Sequence, residues 1–216
     1  MPDLGFLLRI APTLAQGLLM TLALALPAIV LASLWGVPIV MGLMSRSRVL
    51  AVLARSYVEV VRNTPVLVQM FFIFFGSGVL GYPLDGFTSG LLALVLQNGA
   101  YAAEVYRGGI RSISVRQAEA GIALGLTPAA AFRIIVLPQA LRKVIPPLSN
   151  QGVLIIKDTS LVATISVAEM TFHARLLADR TAAVFEIFFT LALFYLALTA
   201  LFAGGMRLLE RRVRIA

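Results

Sequence analysis

The chain has no cysteine and a single histidine, His173. The first absence excludes disulfides, thiolate metal sites and thiol nucleophiles. With one histidine, and with neither a His-Glu-x-x-His nor a Gly-x-Ser-x-Gly pattern, no zinc hydrolase or serine triad can be assembled, so an intramembrane enzyme is disfavoured. Lysine is nearly absent too. The only two, Lys143 and Lys157, follow Arg142 and Ile156, so no Gly-x4-Gly-Lys-Ser/Thr phosphate loop exists here. Charge is scarce at 13%, against 60% hydrophobic residues and a mean hydropathy of +0.94. This balance belongs to a polytopic membrane protein.

Long intervals carry no charge at all, at 10–45, 63–84, 86–103 and 187–206. Each is close to or above the roughly 18 to 20 residues that a helix needs to cross about 30 Å of hydrocarbon. A fifth apolar region, 144–168, is interrupted by Lys157 and Asp158 and is also counted as a span. The expected fold is an all-α polytopic membrane protein of about five transmembrane helices, in one domain over 1–216 with its core at about 14–209. Pro27 and Pro38 should kink or interrupt the first span, 14–44. Span two begins near Val49, and 76–90 reads as a short external loop of turn residues. Span three ends near Arg107, a long internal loop covers about 108–143, and span four covers about 145–170. The segment TFHARLLADRT reads as an external loop before the last span, at about 183–209.

The net charge of +8 is explained by this topology. Arg46, Arg48, Arg55 and Arg62 surround the first internal loop. Arg107, Arg111, Arg116, Arg133, Arg142 and Lys143 fall at the second, and Arg207, Arg211, Arg212 and Arg214 at the C-terminus. Only Arg9, Arg175 and Arg180 lie on the other side. The positive-inside rule then puts the N-terminus outside and the C-terminus in the cytoplasm, and no nucleic-acid partner is expected. The N-terminus, with an acidic residue and a proline before a long apolar run, is expected to be retained rather than cleaved.

One stretch of the internal loop stands apart: QAEAGIALGLTPAAAFRIIVLP, at 117–138. Residues 117–124 can form about two helical turns, roughly 12 Å, too short to span a bilayer. Gly125 sits where a helix commonly ends in a left-handed residue, with Leu126 placed for the accompanying apolar contact. Thr127 is a good N-cap and Pro128 suits the first helical position, so a second helix should start at once. Gly121 and Gly125 share a face that permits close approach, and Ala118, Ile122 and Leu126 line a neighbouring apolar stripe.

These residues resemble the coupling motif of ABC importer permeases: Glu-Ala-Ala, three residues, Gly, nine residues, Ile-x-Leu-Pro. Glu119, Ala120, Gly125, Ile135, Leu137 and Pro138 match at the right spacing, and Gly121 replaces the second alanine. The likeness extends to the polar amino acid branch of that family through YVEVVRNTPVLVQMFF, AYAAEVYRGGI, LPQALRKVIPPLSN and KDTSL, in the expected order. Arg116 stands where that family usually has glycine. The resemblance implies a type I importer fold with a cytoplasmic coupling helix that docks in a groove of an ATPase. Glu119, Ala120, Gly121, Gly125, Pro128 and Pro138 would serve that coupling. It further implies ATP and Mg on two partner ATPase subunits, with no cofactor bound by this chain. An external substrate-binding protein, a second copy or a paralogous permease, the inner membrane and an amino acid substrate complete the expected system.

Lys157 and Asp158 cannot be lipid-facing passengers, since a charge near the bilayer centre costs roughly 2.5 to 3.5 kcal/mol on insertion scales. Lys157 could reach Glu104, and Asp158 could cap a broken helix with help from Thr159 and Ser160. With Gln69, Asn98 and Asn150, these residues are candidates for the translocation path or its gate. The alternatives are a structural ion pair joining helices or protomers, and, for Glu104, a residue snorkelling to water. A self-sufficient secondary transporter or channel using the Lys/Asp pair is the competing function. Lesser signals read as structure. His173 with Arg175 and Asp179 is a solvated face, Phe185, Phe188 and Phe189 are span packing, and Tyr57, Glu59 and Arg62 are anchor and ion-pair residues.

Overall fold

The computed structural model describes residues 4–213; Arg214 lies outside them. Helix α1, Leu4–Leu43, runs uninterrupted through Pro12, Pro27 and Pro38. It is followed by α2, Arg48–Asn63, and α3, Val66–Val79. Helix α4 is Gly86–Arg111, α5 is Val115–Ala123 and α6 is Pro128–Ala131. A π-helical turn, Phe132–Val136, leads into α7, Leu137–Asp158. A 3-10 segment, Thr159–Ile165, then α8, Met170–Thr181, and α9, Val184–Val213, close the described chain. No strand occurs among the described residues.

By length and composition two helices can cross a membrane, over Arg9–Leu43 and Val184–Arg212, with a third if α2 and α3 form one broken span. At 1.5 Å per residue, α4 and α7 reach about 39 and 33 Å, long enough to cross. They are more polar because their cargo of Asn98, Ser149 and Gln151 is buried inside the protein rather than turned to lipid. Helix α4 is the central element, packed against α1, α2, α3 and α7.

Small residues set these contacts, as expected where lipid supplies no hydrophobic drive between helices. A Cβ on Gly17 would lie 2.6 Å from the Met170 backbone nitrogen, and one on Gly36 would lie 2.8 Å from Ala102 Cβ. Around them sit three apolar clusters. The first joins Leu24, Ala28 and Ala32 to Met70, Leu94, Ile155 and Val162. Another joins Ile10 and Leu14 to Met170, Ala174 and Ile187. The third joins Ile39 and Val40 to Val58, Ala100 and Ala103.

Several boundaries differ from the sequence reading. Span two is broken, with α2 and α3 meeting at 102°. Pro65 offers no N–H, and Thr64 before it takes extended backbone, φ −103° and ψ 129°, as pre-proline residues prefer. The expected external loop at 76–90 shrinks to 80–85. Helix α3 continues through Gly76 and Gly78, and Asp85 starts α4 early by accepting from Thr88 N at 2.6 Å. That bond holds the exposed Asp85 carboxyl below its usual range. The expected external loop after span four is helical, because Glu169 caps α8 by accepting from Phe172 N at 2.8 Å. Span four itself begins at Leu137, continuous with the internal hairpin, and its helix ends at Asp158.

Candidate functional site

Residues 117–138 fold into the helix, turn and helix expected of them. Helix α5 ends in a paired-bond cap: Leu126 N donates to Gly121 O at 3.1 Å and Gly125 N to Ile122 O at 2.9 Å. Gly125 takes φ +93°, the left-handed conformation this cap needs, and no atom lies within 4 Å of where its Cβ would be. Thr127 Oγ1 then accepts from Ala130 N at 3.2 Å, capping α6. Gly121 does not share Gly125's openness. Its missing Cβ would lie 2.5 Å from Ile135 Cδ1, so this glycine packs the hairpin on its own π turn. Ala118 is likewise spent internally, against Val136 and Ala140.

What remains outward is an apolar rim, Val115 at 70%, Ile122 at 45% and Leu124 at 87% exposure. Glu119, Ala120 and Pro128 are exposed beside it, and Pro138 lies exposed at the start of α7. Pro128 to Asp158 is one helical run apart from the π turn, about 45 Å long at 1.5 Å per residue. A π turn absorbs one extra residue without ending the helix. The hairpin is therefore joined to the far end of α7 by helical backbone without an intervening loop.

At that far end, just after Lys157 and Asp158, the α-helix passes into the 3-10 segment. Lys157 is exposed, Asp158 half-buried, Thr159 buried and Ser160 half-buried. Asp158 makes no capping bond; Thr159 Oγ1 donates to Ile156 O at 2.7 Å instead. Nor does Lys157 reach Glu104. Glu104 pairs with Arg107, one turn on along α4, because i and i+3 share a helix face.

Gln69 serves the broken span. Its Nε2 donates to Val61 O at 2.8 Å and Thr64 O at 3.0 Å, satisfying carbonyls that the end of α2 leaves open. Gln97 adds a bond to Thr64 O at 3.3 Å. Asn98 is buried at the middle of α4, where its main-chain and side-chain oxygens accept from Gln151 Nε2 at 2.8 and 3.3 Å. Asn150, one residue earlier, points out of the protein and is exposed.

Beside the elbow lies a cleft of about 410 Å³ lined by Arg55, Glu59, Arg62, Tyr101, Glu104 and Arg107, among others. The Arg62 guanidinium stacks over the Tyr101 ring at 4.7 Å. Both charge signs thus face one space. Glu59 and Arg62, read as anchor and ion-pair residues, line this cleft with Glu104. Tyr57 is structural as expected. Its hydroxyl accepts from Trp35 Nε1 at 2.9 Å and donates to Leu96 O at 2.7 Å, pinning α1, α2 and α4 together.

The sequence reading missed two buried residues that tie helices together. Glu169 is fully buried, and its Oε2 accepts from Tyr195 at 2.7 Å, joining α8 to α9. The signal available was an acidic residue directly before an amphipathic run, an N-cap pattern. Gln151 escaped because an amide adjacent to Asn150 has no sequence mark that tells inward from outward.

Comparison with known proteins agrees with this geometry. Residues 28–215 match the family described as "Binding-protein-dependent transport system inner membrane component". The nopaline transport system permease protein NocM of Agrobacterium fabrum (strain C58) is 36% identical over 207 residues, covering 91% of this chain and 86% of its own. The glutamine transport system permease protein GlnP of Escherichia coli (strain K12) is 40% identical over 161 residues, 74% of each chain. A crystal structure of an amino acid ABC transporter with histidines superposes at a TM-score of 0.92 with 34% identity, over 98% of this chain and 99% of that one. The inward-facing methionine transporter MetNI shares the fold at 0.81 with 17% identity, over 96% and 99%. With its hairpin, its broken helices and most of its length matched, the chain belongs to the binding-protein-dependent transport system inner membrane components, the permease subunits of ABC importers.

Proposed function

We propose that this chain carries a polar amino acid or a closely related compound across the inner membrane, driven by two ATPase subunits that dock on its cytoplasmic hairpin. One observation carries the reading. An exposed apolar rim at Val115, Ile122 and Leu124 sits at one end of a continuous helical run whose other end is the Lys157–Asp158 break. A movement imposed on the hairpin is therefore delivered to the outer half of the protein. Glu119, Ala120, Gly125, Pro128 and Pro138 form the docking side, Gly121 holds the hairpin to its own π turn, and Pro128 and Pro138 also shape the two helix starts.

The path runs past polar residues: Gln69 at the elbow, Glu104 in the two-signed cleft, Asn98 and Asn150 at mid-depth, and Lys157, Asp158, Thr159 and Ser160 at the outer end. Free amino acids carry an ammonium and a carboxylate, and a cleft offering Glu59 and Glu104 beside Arg55, Arg62 and Arg107 has a partner for each. The substrates named for the relatives, nopaline, glutamine and cystine, and the histidines of the solved transporter support this class. ATP and Mg belong to the ATPases, and a binding protein delivers substrate from outside. The basic residues set the N-terminus outside and the C-terminus in the cytoplasm. Closure of the ATPase dimer moves the hairpins together and opens the spans outward; hydrolysis restores the inward state. A secondary transporter working through Lys157 and Asp158 is the rival, and membership of an ABC importer family counts against it.

The test is co-purification in mild detergent. Gly125→Trp places a bulky side chain at the open left-handed position and should release the ATPase while the chain stays inserted. Unchanged ATPase association, or uptake that needs no ATPase and collapses with an uncoupler, would overturn the reading.

A further inference from the structure

Three helices meet around one buried amide. Gln151 on α7 is only 8% exposed, and its Nε2 donates to Asn98 O at 2.8 Å and, at a long 3.3 Å, to Asn98 Oδ1. Asn98 Nδ2 in turn donates to Leu94 O at 2.8 Å. These bonds fix both amides, because either one turned over would aim an oxygen at a carbonyl. Gln151 Oε1 is then left without a donor among the described residues. At the middle of α4 there is no bulk water for it to turn to, so it needs a partner that the helices do not supply.

Beside this amide α1, α4 and α7 leave a small cavity. It holds about 10 Å³ in which a water can be centred, and Ser33, Asn98 and Gln151 line it among apolar walls that include Ile29, Leu148 and Ile155. The polar groups there are acceptors. Ser33 Oγ spends its hydrogen on Ile29 O at 2.7 Å, and Asn98 Oδ1 and Gln151 Oε1 are amide oxygens. No carboxylate lines the space, so a cation would stand uncompensated in it. The occupant that fits is neutral, small and able to give two hydrogens at once.

We propose that the cavity binds one water, which donates one hydrogen to Gln151 Oε1 and the other to Ser33 Oγ or Asn98 Oδ1. A single water requires roughly 10 to 15 Å³ of such space and two to four polar partners, and both are present. The three helices are thereby joined by a ligand rather than by direct side-chain contact. A bridging water is nearly as favourable as a direct hydrogen bond and re-forms its bonds as its neighbours move, so α7 can shift against α1 and α4 without leaving the Gln151 oxygen unpaired. The water belongs to the packing of these helices whatever compound the chain carries.

Radiolytic footprinting of the full chain in lipid discs tests this. Hydroxyl radicals made from bound water during a millisecond X-ray pulse label the side chains beside it, and mass spectrometry reads the label. Ile155, 2% exposed and on the cavity wall, should be labelled several-fold more than Leu94, which is fully buried and does not line the cavity. Gln151→Leu removes the unpaired acceptor, and Ser33→Thr keeps the hydroxyl while adding a methyl to fill the space. Each should bring Ile155 down to the level of Leu94. Ser33→Thr carries the test alone if Gln151→Leu does not fold, a failure that labelling at Leu94 would expose. No excess at Ile155 in the natural protein, or an excess that survives either substitution in the folded chain, would overturn the proposal.

Discussion

At the scale of single residues, the molecule depends on where side chains are missing. Gly17 lets α1 cross the Glu169–Met170 peptide, whose backbone atoms lie only 2.6–2.7 Å from the point a Cβ on Gly17 would occupy. Backbone cannot swing aside as a flexible side chain end can, so the substitution forces helices apart. Gly17→Ala is expected to destabilise the protein by about 1 to 3 kcal/mol, read as an earlier thermal transition in detergent. Gly205, also helical, has no atom within 4 Å of its Cβ position. Gly205→Ala should leave stability unchanged or raise it by about 0.5 to 1 kcal/mol, read as an unchanged or later thermal transition, because only the helix entropy term remains. If both variants behave alike, close packing is not what Gly17 provides.

At the scale of elements, caps and breaks decide direction. The hairpin turns because Gly125 accepts a left-handed conformation and Thr127 restarts the helix two residues later. Thr127→Ala removes one acceptor from the first turn of α6 and should cost about 1 kcal/mol locally. Faster amide exchange at Ala130, with exchange in α4 untouched, is the expected result; uniform exchange would mean the cap carries nothing. The elbow between α2 and α3 obeys the same logic in reverse. Pro65 ends a helix, and Gln69 and Gln97 bridge the open carbonyls, so the break is a built feature rather than a frayed end.

At the scale of the whole molecule, the end of α7 sets Lys157 and Asp158 side by side where the α-helix passes into the 3-10 segment. Asp158 is half-buried with no capping bond, so its carboxylate is available to substrate, to Lys157 or to a neighbouring subunit. Asp158→Ala should abolish uptake while the chain still inserts and retains its ATPase; loss of assembly instead would make the residue a structural tie between protomers. The same comparison, made with Lys157→Ala, separates a part in transport from a passive anchor.

The sequence by itself determined the membrane class, the helix–turn–helix at 117–138 and the presence of two adjacent charges in an apolar segment, because each is written in local chemistry: charge-free runs, a glycine and a Thr-Pro at fixed spacing, and Lys157 beside Asp158. Residues such as Gly125 and Thr127 could be assigned roles before any neighbour was known, since their roles lie in the backbone. Only the tertiary structure decided which polar residues turn inward. Gln151 and Asn150 are adjacent and chemically alike, yet one bonds Asn98 and the other is exposed. Glu169 became a buried tie between α8 and α9, and Gly121 a packing site rather than an open one, because helix phase and long-range contacts fix them. The α2–α3 elbow was hidden for the opposite reason: hydropathy sums over a segment and is blind to its direction, so span two reads as one helix from Val49 although the chain turns through 102° between α2 and α3.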